Sequence, residues 1–458
     1  MSAKKLFYLL KLIPLYISGI VFLICFQNCE EPAVQENKGF LAYSPGYGVT
    51  EGVHIASYEN SIESGYILLG STDNGIEKDY FIVKTDSSGN FLLSKQTGDH
   101  NLDNKPNKVK VQGDFIYILG DRYDRYVNRV VPFISILNLS DLSKISGNAE
   151  IYLDNYNDIF GTTYEEKSAD FLIDGDKIII TSSSEDVDGK YSLLTYILTM
   201  KQALFGKEVV SSEFSRYDNN VFSAYNIKAQ SIRKGQDEHF YVAGTLTEGD
   251  FSGEYGKGYF IIKYKYDGEL ISTIYNDSLS NTFKTLLDFE LDLANNKAIV
   301  LYRNNNMVHV NIIELSNGNN TTDRVNAQST EILGLVHAID EVSYDVLTLE
   351  IIDETKSASI NKIGNNYIIT GIRDGSFAMI VDKRSLNGAS LSAPEWGNVW
   401  EDFNVFNNIS SFGSHDRNNI GNVIQRVGGE GYAIIGTHDF INTTKMILIQ
   451  LDENGNYY

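Results

Sequence analysis

The chain has 458 residues, 60 acidic and 38 basic, and its net charge of −22 repels phosphate backbones and excludes nucleic acid as a partner. Its 29 Tyr and 23 Phe against six Pro and five Met favour strands over helix bundles, so the expected class is all-β. Both cysteines, Cys25 and Cys29, fall within the first 29 residues, so the body carries no thiol for a disulfide, a thiolate metal site or a nucleophile.

Lys4 and Lys5 precede an apolar run from Leu6 to Phe26 that holds one further charge, Lys11, and ends at the polar junction Cys29-Glu30-Glu31. A charged start, a short apolar core and an abrupt polar end are the layout of an export signal. The stretch from Leu23 to Pro32 resembles a lipoprotein signal of the Bacteroidota type, with Phe26 in place of an aliphatic residue and Asn28 in place of a small one. The resemblance implies a lipoprotein signal peptide over 1–28, a lipidated Cys29 with a tether over 29–38, and the membrane as a partner. Acyl chains contribute roughly 0.8 kcal/mol per buried methylene, and a stable hold takes more than one chain. Glu30 and Glu31 also resemble the acidic signal that sends such lipoproteins to the cell surface. An uncleaved N-terminal anchor is the other reading, and it too leaves the body outside the cytoplasm.

The first complete repeat unit follows. Gly65 to Ser71 reads as an apolar strand, Thr72 to Lys78 as a polar loop, Asp79 to Asp86 as a second strand, and Phe91 to Ser94 as a third after a Ser-Ser-Gly-Asn turn. The leading strand recurs at Phe115 to Gly120, Lys177 to Ser182, Phe240 to Gly244, Lys297 to Leu301, Tyr367 to Gly371 and Gly431 to Thr437. A period of about 50 to 70 residues suits a four-stranded sheet with generous loops, repeated around an axis. The unit resembles the repeat of a Bacteroidota family of extracellular β-propellers, which runs Gly-Tyr-Ile-Leu-x-Gly and then Asp-Tyr-x-Ile-x-Lys-x-Asp-x-x-Gly-Asn. Residues 65–98 match closely, 239–275 and 431–456 fairly, and the rest in outline, with Leu93 where the family places Trp. The last unit stops at Asn456-Tyr457-Tyr458, before its fourth strand, and Gly39 to Gly46 reads as the missing one. The expectation is therefore an all-β, seven-bladed β-propeller over 39–458, closed by its N-terminal strand and free of an exposed sheet edge.

Catalytic and metal signatures are sparse. The turns starting at Asp86, Asp267 and Asp452 suggest calcium only superficially, because they lack a twelve-residue ladder ending in Glu; an Asp-capped hairpin explains them. Seven scattered His form no His-x-x-x-His pair, and no nucleophile elbow, phosphate loop or dinucleotide fingerprint occurs. No cofactor, metal or catalytic residue is assigned, although two acids meeting in space would leave no trace in the sequence. Two loops stand out as contact surfaces. One holds Arg122, Tyr123, Arg125, Tyr126 and Arg129, side chains that stack on sugars and pair with carboxylates; a solvated hairpin is the other account. The second, Ser392 to Ile420, holds Trp396, Trp400, His415 and Arg417, and reads either as a functional connection or as a fourth strand packed between sheets. The favoured function is a non-enzymatic binding or accessory subunit of an outer-membrane complex with a protein or glycan partner; the alternative is a glycan-active enzyme with carboxylates in the central funnel.

Overall fold

The computed structural model describes the backbone of 35–37, 40–45, 49–73, 78–97, 103–124, 129–145, 150–153, 166–185, 191–203, 206–217, 226–236, 238–247, 256–277, 284–304, 307–315, 321–324, 329–336, 358–363, 366–373, 378–387, 390–391, 396–400, 419–427, 431–440 and 443–452, with side chains described within 41–315 and 423–452. The signal peptide, Cys29 and the ends of most loops lie outside these residues. Strands make up nearly all the regular structure; one 3-10 turn, Leu293–Asn295, is the exception among the described residues, and no helix there is long and apolar enough to cross a membrane.

The repeated apolar run is a central strand with neighbours on both sides. In the first sheet Ser64–Asp73 lies between Val49–Glu59 and Lys78–Asp86, and Phe91–Thr97 completes an antiparallel order of four. The same order recurs over 103–152 and 166–217. Between 226 and 400 the strands join into one sheet, in which three further antiparallel runs start at Asn226–Lys234, Lys284–Asp292 and Ala358–Ile363. They are linked by slight pairings, such as the single pairs of Lys257 with Lys284 and Val336 with Ile372. The last sheet starts at Asn419–Val427 and continues through Gly431–Phe440 and Thr443–Asp452.

The N-terminal strand closes that last sheet. Phe40–Tyr43 pairs antiparallel with Thr443–Asp452, Leu41 opposite Leu448 and Tyr43 opposite Met446, as the repeat comparison expected. Gln35–Asn37 pairs antiparallel with Phe40–Tyr43 as a fifth strand of this sheet. The Tyr43 hydroxyl donates to the Gly89 carbonyl, and Gln450 donates to the Tyr66 hydroxyl and the Ser87 carbonyl, fastening the closed sheet to the first one.

The first strands of the successive sheets touch one another in sequence: Val49–Glu59, Asp103–Gln112, Glu166–Asp174, Asn226–Lys234, Lys284–Asp292, Ala358–Ile363, Asn419–Val427, and back to Val49–Glu59. They form a closed inner ring. Where side chains are described, neighbouring sheets pack face to face through apolar, buried residues. Ile67 and Leu69 meet Val109, Ile116 and Ile118, while Leu68 and Val83 meet Ala433 and Leu448.

Candidate functional site

A sheet buried on both faces needs its stray polar groups satisfied by its neighbours. Each inner strand whose register shows an irregularity has it at one position, between Gly52 and His54, Pro106 and Lys108, Ser168 and Asp170, Ala229 and Ser231, Leu286 and Asp288, and Gly421 and Val423. A bulge leaves a backbone N–H outside the ladder. The residue after the small one that closes the repeat strand of the preceding sheet accepts it. Asp121 Oδ1 accepts from Ser168 N (2.7 Å), Ser183 Oγ from Ala229 N (2.8 Å), Thr245 Oγ1 from Leu286 N (3.0 Å), and Thr437 Oγ1 from Gly52 N (3.1 Å). In two seams the bulge residue adds a second bond: Asn107 Nδ2 donates to the Ser168 carbonyl (3.2 Å) and Gln230 Nε2 to the Leu286 carbonyl (2.6 Å). Burial raises Asp121, and its bonds to Ser168 and Asn107 oppose that rise.

The bulge also sets which side chains of the inner strand gather near the axis. Lys108, Asp170, Ser231 and Asp288 occupy one register position, and Lys110, Arg233 and Glu290 lie two residues on. Three carboxylates converge on Arg233: Asp288 at 2.8 Å, Asp170 at 3.3 Å and Glu290 at 3.5 Å. The guanidinium stands over the Phe289 ring at 5.3 Å and also donates to Ser231 Oγ and the Ile232 carbonyl. Asp170 further accepts from the backbone N–H of Phe171 (2.8 Å) and Ile232 (3.2 Å). Lys110 Nζ lies 3.8 Å from Asp170 Oδ1 and 5.2 Å from the centre of the Phe171 ring.

These groups titrate as a set. Burial would raise Asp170, but Lys110, Lys108 and Arg233, with the Ile232 N–H, hold its carboxyl far below the usual range. Burial raises Glu290 above its ordinary value, aided by Asp288, and Arg233 offsets only part of that. Burial disfavours the Arg233 charge, and Asp288, Glu290 and Asp170 more than restore it. The arrangement is an ion-paired clamp spanning the second to fifth inner strands. Its three acids share one cation, which is not the layout of two acids held apart to flank a substrate.

Of the residues predicted from sequence, Arg122, Tyr123 and Arg129 lie on the hairpin of Phe115–Asp124 and Arg129–Asn138, with Arg129 paired to Asp124. Arg122 donates to the Tyr152 hydroxyl and stacks 5.0 Å from the centre of its ring. Tyr152 is exposed and donates to Glu150 Oε2 (2.9 Å), while Lys144 pairs with Oε1 of the same carboxylate. Tyr152 and Glu150, 21 residues or more along the chain from the Arg-rich loop, had no mark in the sequence. Trp396 and Trp400 end the strand Trp396–Trp400, paired with Lys383 and Met379, which is the fourth-strand account of that segment. Arg125, Tyr126, His415, Arg417 and Cys29 lie outside the described residues. The Asp86 turn is self-capped: Asp86 Oδ1 accepts from Ser88 N and Asn90 N, Asp86 Oδ2 from Asn90 Nδ2, and Gly89 takes φ +81°. No group of three or more potential metal ligands occurs among the described residues.

No family model matches the chain, and no curated protein does. Among solved structures it is similar to the plexin A4 extracellular region, with TM-score 0.48, 10% identity, and coverage of 90% of this chain and 40% of that one. It is also similar to the Dos1 propeller, with TM-score 0.44, 11% identity, and coverage of 93% and 96%. A protein from Lactobacillus plantarum gives TM-score 0.40 at 10% identity over 76% and 85%. At these scores none of them assigns an activity.

Proposed function

We propose that the chain is a seven-bladed β-propeller, exported and held at the outer membrane through a lipidated Cys29, where it serves as a non-enzymatic binding or accessory subunit of a protein complex. The closed cycle of inner strands and the pairing of Leu41 with Leu448 support the ring. The observation that carries the non-enzymatic reading is the axial cluster: Asp170, Asp288 and Glu290 are tied to Arg233. The Arg122–Tyr152 stack offers a rim surface for a protein or a glycan.

The test is a mild-detergent pull-down of the tagged chain from native membranes, beside Cys29→Ala and with metabolic labelling by an alkyne fatty acid. The reading expects label on the wild-type chain alone and a stoichiometric outer-membrane partner that is lost with the anchor. A clean, unlabelled monomer overturns it. The raised Glu290 carboxyl favours a second reading, a glycan-active site at the axis. Glycosidic cleavage by the wild-type chain that disappears in Glu290→Gln would establish that one instead.

A further inference from the structure

The axial clamp is uneven. Among the described residues Asp170 is the one anion within ion-pair reach of Lys110, and it already accepts from Phe171 N, Ile232 N, Ser231 Oγ and Arg233. At 3.8 Å the Lys110 ammonium makes no hydrogen bond to it, and its side chain keeps 32% of its surface in contact with solvent at the axis. Lys108 lies two residues earlier on the same face of the same strand, near enough to act electrostatically on both Lys110 and Asp170. Among the described residues Lys108 has neither a hydrogen bond nor an ion pair. Two ammonium groups therefore bring six N–H donors to a half-buried wall and find one saturated carboxylate.

We infer that Lys108 and Lys110 form a binding site for a small oxyanion at the axis of the ring, on the seam between the second and third sheets. A carboxylate or phosphate between them would take up the unmatched donors with charge-assisted bonds, and Phe171 would wall the site on one side. Burial, with Arg233 and Lys108 beside it, lowers the Lys110 pKa against the pull of Asp170 and Glu290, and a bound anion would favour the charged form further. In a chain of net charge −22 the two ammonium groups offer an acidic small molecule a local attraction at the axis. The inference needs only the observed inner strands and stands apart from the anchoring and the partner proposed above.

Calorimetric titration with inorganic phosphate, sulfate and galacturonate at fixed ionic strength tests it, with chloride as the reference anion. One site is expected for at least one of the three, at least about tenfold weaker in Lys108→Gln/Lys110→Gln and unchanged in Lys105→Gln, whose side chain is exposed on the same strand. Should the double variant fail to fold, Lys108→Gln alone decides, since it breaks no ion pair and should weaken binding at least about threefold. No saturable binding by any of the three, or equal weakening in Lys105→Gln, overturns the site.

Discussion

Replacing Arg233 by Met keeps much of the volume of the side chain and removes the one cation that Asp170, Asp288 and Glu290 share. Removing one partner from a buried ion cluster costs about 3–5 kcal/mol. Two features reduce the figure here: the guanidinium side chain is 23% exposed, and Asp170 keeps its two backbone donors and Lys110. The expected loss at neutral pH is about 2–3 kcal/mol, read as the shift of urea unfolding midpoint times slope, with two spectroscopic probes to check cooperativity. The pH dependence is more diagnostic. Without Arg233 the Glu290 carboxyl, which burial already raises, is pushed further above its ordinary value of 4.5, so the folded variant binds that proton more tightly than the unfolded chain. Its contribution is present below that value and lost as pH rises. The gap to wild type should be widest at pH 7 and narrow towards about pH 4 as Glu290 takes up its proton, and narrow further below pH 4, where wild-type Asp170 gives up the stability of its lowered carboxyl. A variant within about 0.5 kcal/mol of wild type at pH 7, or a gap that widens on acidification, refutes the clamp.

The inter-sheet bonds make a matched pair of predictions: Thr437→Val leaves Gly52 N without its acceptor and should cost about 1–3 kcal/mol. Ser71→Ala, at the same place in the first sheet, should stay within about 0.5 kcal/mol, because the residue it would serve is Pro106, which has no N–H; denaturation midpoints compare the two. Gly244→Ala would drive a methyl into the Lys228 carbonyl and the Phe260 ring, and should lose several kcal/mol, or fail to express, while Gly113→Asn, a turn at φ +58° with open space around it, should lose less than about 1 kcal/mol. Deleting residues 30–44 bares the edge of Thr443–Asp452; light scattering should show self-association, and a stable monomer would count against closure by the N-terminal strand.

The repeat was legible because its defining positions answer to backbone geometry. Gly120 and Gly244 lie against the carbonyls of Lys105 and Lys228 where a side chain does not fit, so a small residue recurs there in most units, Leu301 closing the fifth. The closing strand was legible for the same reason, since Phe40 to Tyr43 must offer the apolar pattern that Leu448 and Met446 demand. The axial cluster was not. Asp170, Arg233, Asp288 and Glu290 come from three sheets that lie some sixty residues apart in the chain, among 60 acids with nothing to rank one above another. A usable signal did exist: aligned on the bulge rather than on the Gly-Tyr-Ile-Leu strand, the inner strands place Lys108, Asp170, Ser231 and Asp288 in one column and Lys110, Arg233 and Glu290 in another. The bulge itself has no residue signature, being occupied by Asn107, Ala169, Gln230 and Leu287 in turn.

That contrast separates what holds the ring from what individualises it. The bond from the residue after the closing Gly or Ser to the next inner strand recurs with Asp, Ser and Thr alike, because any short oxygen reaches the stray N–H. The residues two positions past the bulge break the pattern instead. Gln425 reaches the amide and hydroxyl of Ser57 with a neutral pair, whereas Lys110 and Arg233 spend long charged side chains on the equivalent seams, each over a Phe of the next sheet. A neutral amide holds its seam without burying an ion, and cations at the other two incur desolvation that packing alone does not require. Chemistry beyond closure is therefore to be sought on the side of the axis formed by the second to fifth sheets, where Lys108 and Lys110 face a carboxylate already in use.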